Sequence, residues 1–168
     1  MVFRFVRTSL NPLLPSPNSI PNYQLITEII EQAKTLDPIT LFHSPNLSAS
    51  KSALSILQRA STTAASTTST PRGEFQLEVS TAPPTSDQLR NILDYVSGSG
   101  AGGGSGVGKV YKVEEVVRGA RDAEDAIKRF KADPEGSFVR PITVDWTKGQ
   151  AVVGDNESEI LKMVQELN

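Results

Sequence analysis

The chain has 168 residues, 38% hydrophobic and 21% charged, enough to bury one core and to make one domain the expectation. A formal net charge of -2 leaves no broadly basic surface to neutralise nucleic acid or an anionic membrane. Zero cysteines exclude disulfides, a thiolate nucleophile and thiolate metal sites, and the single histidine, His43, leaves too few ligands for a typical zinc or copper centre.

From Met1 to Thr27 the chain carries no Asp or Glu, while Arg4 and Arg7 lie among apolar residues. That composition is that of a mitochondrial presequence, so residues 1–37 are expected to be a presequence and N-terminal extension, with a mitochondrial, matrix destination. Tyr23 to Leu36 has the spacing of a short helix. No apolar run approaches the roughly 20 residues that span a bilayer.

Residues 38–168 read as the folded domain. Ile39 to His43 is a short β-former-rich strand between prolines. Ser48 to Ala60 has the period of a helix, with Ala53, Leu54, Leu57 and Ala60 on one face. Ser61 to Thr70 is rich in Ser, Thr and Ala and is expected to be a loop, within a flexible stretch over 61–72. Glu74 to Val79 alternates apolar and polar residues like a half-exposed edge strand. Ser86 can cap a helix whose buried stripe is Leu89, Ile92, Leu93 and Val96.

A glycine-rich linker over 97–109 follows, then a long helix from Val113 to Ala132, ended by Asp133-Pro134. Ile142 to Val144 and Ala151 to Val153 are two strands separated so briefly that they must form an antiparallel hairpin. Asn156, with Glu159 three residues on, begins the last helix. The order β-α-β-α-α-β-β-α predicts an α/β thioredoxin-like fold: a mixed four-stranded sheet flanked by helices, with an extra helical insertion.

Two segments carry a more specific likeness. ITLFHSPNLSASKSALSIL, Ile39 to Leu57, resembles the first strand, loop and helix of glutaredoxin-like arsenate reductases, and Arg140-Pro141 matches their Arg-Pro pair. ITLFHSP, FQLEVSTAPPTSDQLRNIL and PITVDWTKGQAVVGDNESEIL resemble a fungal mitochondrial family of proposed redox proteins with a thioredoxin-like fold. The resemblance implies an oxidoreductase ancestry linked to reduction of small toxic molecules, and a cis peptide bond at Pro141 ahead of the third strand. It carries no cofactor over.

Residue by residue the reductase chemistry does not transfer. Leu47 stands where the reductase pattern has its nucleophilic cysteine, and leucine has neither a proton to lose nor a lone pair to attack with. Lys51 replaces an arginine that would grip an oxyanion in bidentate fashion. Gly154-Asp155-Asn156 stands in place of Gly-Arg-Pro, turning a cation into an anion.

Candidate ligand-binding residues are His43 and Ser48, beside the start of the first helix, with Arg140 and Pro141. For His43 the alternative is a structural histidine bonding its loop, and for Ser48 it is N-capping. Gly103 to Lys109 fits G-x-x-x-x-G-K, but Val110 replaces the Ser or Thr that would hold Mg²⁺. Arg118, Arg121, Lys128, Arg129 and Lys131 interleave with acids and read as a solvated face. Two functions stand: an oxidoreductase that borrows a small thiol, or a non-catalytic module binding a small molecule or protein along loops around Asn46, Arg140-Pro141 and Trp146.

Overall fold

The computed structural model describes residues 36–66, 73–98 and 110–165. Residues 1–35 of the expected presequence and extension, the expected helix over Tyr23 to Leu36 except its last residue, the Gly103 to Lys109 match and most of the glycine linker lie outside them.

Four strands, β1 (Asp37–Phe42), β2 (Phe75–Ser80), β3 (Ile142–Asp145) and β4 (Gln150–Val153), form one sheet in the order β2-β1-β3-β4. β1 and β2 are parallel, while β3 is antiparallel to both β1 and β4. These are the order and directions expected of a thioredoxin-like domain. The Arg140–Pro141 peptide bond ahead of β3 is cis, as that resemblance implied.

The helices are α1 (Ser48–Ser66), α2 (Ser86–Val96), α3 (Val113–Val116), α4 (Ala123–Ala132), α5 (Pro134–Ser137) and α6 (Glu157–Gln165). Successive strand residues face opposite sides, so the sheet separates two cores. Ile39, Leu41, Phe75 and Val152 pack with Ala53, Leu57, Ile160 and Met163 under α1 and α6. Phe42, Ile142, Val144 and Ala151 pack with Leu89, Ile92, Val116 and Phe130 under α2, α3 and α4. Each fully buried Leu or Ile contributes about 1.5–3 kcal/mol of transfer free energy, which makes these faces the principal source of stability.

Three local expectations are corrected. α1 runs on to Ser66 through the Ser/Thr tract read as a loop. Ala60 and Ala64, four apart, are both buried there. Thr62 and Thr63 hydroxyls donate to the carbonyls of Gln58 and Arg59, so helix rather than solvent satisfies them.

The helix beginning at Ser86 is capped by Thr85, whose hydroxyl accepts from Gln88 N–H while Gln88 Oε1 accepts from Thr85 N–H. That is a reciprocal capping box one residue earlier than expected.

The third correction matters most for the site. The helix expected over Val113 to Ala132 is broken into α3 and α4. Gly119 adopts φ +70°, a left-handed conformation that interrupts an α-helix, and Val117 forms an antiparallel bridge with Phe138. α4 then restarts on Asp122, whose side chain accepts from Asp125 N–H. Asp125 also receives Arg129 Nε at 3.0 Å, and that hydrogen bond holds its carboxyl below the ordinary range.

Asn156 caps α6, accepting from Ser158 and Glu159 N–H. Glu159 also accepts the hydroxyl of buried Tyr111, tying the segment before α3 to α6. Burial, then that carboxylate, pushes the Tyr111 phenol upward. Among the described residues no helix is long and apolar enough to cross a membrane.

Candidate functional site

The β1–α1 connection is fixed by its own polar atoms. His43 N–H donates to Ser80 O at 2.7 Å, joining the loop to the end of β2. Ser44 N–H donates to Ser50 Oγ at 2.8 Å, and Ser50 Oγ lies 2.7 Å from His43 Nδ1. Ser50 Oγ thus accepts from the Ser44 backbone and is hydrogen-bonded to the His43 ring, linking the two residues through one hydroxyl. Ser50 is wholly buried and His43 nearly so. His43 therefore braces the loop, the structural alternative set out from sequence.

Ser48 is exposed and begins α1, whose first turn contains no acidic residue. The positive end of the helix dipole is left without an acid of its own helix. Leu47, at the position of the reductase nucleophile, is 41% exposed.

Opposite this loop stands Arg140. Its side chain is 9% exposed, and its Nη2 donates to Glu135 Oε2 at 3.0 Å and to Thr81 O at 3.3 Å. Its guanidinium carbon lies 5.6 Å from the ring centroid of Phe138. Phe138 is itself held edge-on by Phe42 and Phe130. The buried Nε of Arg140 has no hydrogen-bond partner. A desolvated guanidinium with a spare donor is costly unless something accepts from it.

Between loop and arginine is a cavity of about 240 Å³. Ser44, Asn46 and Leu47 form one wall, and Phe138 and Arg140 another. Arg118, Glu135 and Gly136 complete it. Arg118 reaches this wall because α3 ends early: it follows Val117 of the bridge, its N–H donates to Ser137 O at 2.9 Å, and it is exposed as expected but stands outside any helix. Two arginines and one glutamate line this cavity, which ends one residue short of the start of α1, a charge balance that favours a small anion.

Of the four residues singled out from sequence, Arg140 lines the cavity and Pro141 follows it, buried. His43 and Ser48 each sit one residue from a lining position. Arg118 and Glu135 were missed. The signal for Arg118 was Gly119, a residue that disfavours a helix interior, followed by Asp122 three residues before Asp125, the spacing of an N-cap.

Trp146 does not share this surface. Asp145 pairs with Ile39 at one end of the sheet, whereas Ile142 pairs with Phe42 at the other. Trp146 follows Asp145 and donates to Thr40 Oγ1 at 2.8 Å, so the loop surface expected to include Asn46, Arg140 and Trp146 splits in two. A larger groove of about 380 Å³, lined by Arg90, Ala123, Ile127 and Lys131, is also separate from the β1–α1 loop. Among the described residues no cluster of three or more His, Cys, Asp or Glu is placed to hold a metal ion.

A parallel β-α-β unit, an antiparallel hairpin and a cis-proline loop facing a helix N-terminus define an α/β domain of thioredoxin-like architecture with leucine at the nucleophile position. The chain belongs to the family described as "Protein of unknown function (DUF1687)", which matches residues 31–155. It is 40% identical over 76 residues to "Putative redox protein fmp46, mitochondrial" of Schizosaccharomyces pombe. That match covers 45% of this chain and 52% of the relative, so it spans about half the relative's length. The relative is of the fungal mitochondrial redox group whose resemblance rests on ITLFHSP and PITVDW. No solved structure matches the chain at a significant level.

Proposed function

We propose that this protein is a mitochondrial thioredoxin-fold binding module that takes a small anionic ligand in the cavity between Leu47 and Arg140, without thiol chemistry of its own. The observation that carries the reading is Arg140: a guanidinium nine-tenths buried, with an unpartnered Nε, lining that cavity. Arg118 and the acid-free start of α1 support it. With Leu47 at the nucleophile position and no cysteine in the chain, no residue can form a mixed disulfide. The relative's name supports a mitochondrial setting, and the acid-free N-terminus supports residues 1–37 as an import segment, with 38–168 as the working domain in the matrix.

The test is a titration of the pure protein with inorganic phosphate, followed by amide chemical shifts. Saturable shifts at Ser44, Leu47 and Ser48 support the reading. Shifts that are absent, or that stay linear with concentration, defeat it. Insulin reduction above the buffer rate without added thiol would overturn the non-thiol half. A second reading, reduction of small toxic molecules with a borrowed low-molecular-weight thiol, draws on the redox name of the relative. Turnover that appears only with added glutathione would favour it.

A further inference from the structure

β2 lies at the edge of the sheet with β1 on one side. Its sequence, Phe75-Gln76-Leu77-Glu78-Val79-Ser80, contains neither lysine nor proline, residues that commonly guard a free edge. The direction of its backbone groups follows from one hydrogen bond. Ser80 O accepts from His43 N–H, so Ser80 faces the β1 side. In a strand the N–H and C=O of one residue point the same way and successive residues alternate. Gln76, Glu78 and Ser80 therefore turn toward β1, and Phe75, Leu77 and Val79 turn outward. Among the described residues no strand pairs with that outward row. Val79 is 47% exposed beside it.

We infer that β2 is the surface on which two copies of this chain pair, antiparallel about a two-fold axis at Leu77. Outward residues must oppose outward residues for their N–H and C=O groups to bond, which restricts the register. Placing Leu77 opposite Leu77 keeps all three outward residues paired, with Phe75 opposite Val79 on either side. On the same face these are apolar pairs. On the other face Gln76 stands opposite Glu78 twice, in the non-hydrogen-bonded pairs where side chains approach most closely, so each amide can donate to a carboxylate. Sliding by two residues one way puts Glu78 against Glu78, a like-charge pair. Sliding the other way loses a backbone pair and the amide-carboxylate contacts. One register is therefore selected, and the symmetry makes it self-complementary.

Sedimentation equilibrium of the full chain tests this. The expected result is a mass that rises from 18.1 kDa toward twice that value with concentration. Gln76→Lys should tighten association and Gln76→Glu weaken it, each by about three- to tenfold, since the change occurs at two symmetric pairs. Gln76 is exposed, so both variants fold. Val79→Pro should abolish association, because its N–H faces outward and no bond to β1 is lost. A mass of 18.1 kDa at every concentration overturns the inference. So does a dimer whose association constant none of the three substitutions moves.

Discussion

Arg140 and Glu135 meet at 3.0 Å across very unequal surroundings, the arginine side chain 9% exposed and the glutamate 67%. The carboxylate can leave into water at little cost while the guanidinium cannot. In the proposed binding, Glu135 would be a replaceable counter-ion that an incoming anion displaces. Glu135→Gln should raise phosphate affinity by about two- to fivefold, corresponding to the roughly 0.2–1 kcal/mol of an ion pair with an exposed member. Arg140→Met should remove the saturable shifts altogether. If Glu135→Gln weakens binding, the glutamate is a ligand contact and not a competitor.

Ser50 Oγ accepts from Ser44 N–H and is hydrogen-bonded to His43 Nδ1, holding Ser44 and His43 together. Ser50→Ala leaves the Ser44 N–H and His43 Nδ1 without that partner and should cost about 2–3 kcal/mol. Urea denaturation measures it. A loss below about 0.5 kcal/mol would show that the loop is held by other contacts.

Gly119 occupies φ +70°, and a β-carbon there would meet Arg129 Nη1 at 3.5 Å, an ordinary contact. Backbone strain alone should therefore make Gly119→Ala destabilising, by about 1–2 kcal/mol. Thermal melts of the two proteins decide the matter. An unchanged melting temperature would mean that the left-handed turn is not maintained.

Tyr111 provides a pH signature. Its folded-state phenol ionises above the unfolded one, chiefly through burial and secondly through Glu159. Below the ordinary tyrosine range, about 10, both states keep the proton and the full contribution is present. As pH rises past that value the unfolded chain ionises while the folded one resists, so stability falls. Tyr111→Phe should flatten this alkaline decline in chemical denaturation across pH 9–11. An equal decline in both proteins would assign it to other groups.

The sequence made the sheet legible because its strands announce themselves locally. Phe75, Leu77 and Val79 alternate, Ile142–Val144 and Ala151–Val153 are too close for anything but a hairpin, and Arg140-Pro141 marks the loop ahead of β3. The break between α3 and α4 was hidden because Val113, Val116, Val117 and Ala120 continue the helical period across it and are buried or half-buried. Their burial comes from packing in the core that Leu89, Phe130 and Phe138 share, and Val117 is bridged to Phe138, contacts no short window contains. The end of α1 was hidden for the opposite reason: small residues looked like a loop, while Ala60 and Ala64 sat at helical spacing. Arg140 could be picked out from its motif, but Arg118 and Glu135 join it only through that tertiary bridge.

The same bridge has an architectural consequence. Val117 and Phe138 pin together the two ends of the excursion that carries Arg118, α4, Glu135 and Gly136, and Val139 N–H bonds Val116 O at 2.9 Å beside them. Because its ends are clamped side by side, this excursion is a cassette. Its tip can be lengthened, shortened or exchanged while the clamp keeps entry and exit points constant. Arg118, Glu135 and Gly136 thus bring their part of the cavity wall from this clamped excursion, while Ser44, Asn46 and Leu47 bring theirs from the β1–α1 loop, so a change of length at the tip would leave the strands undisturbed.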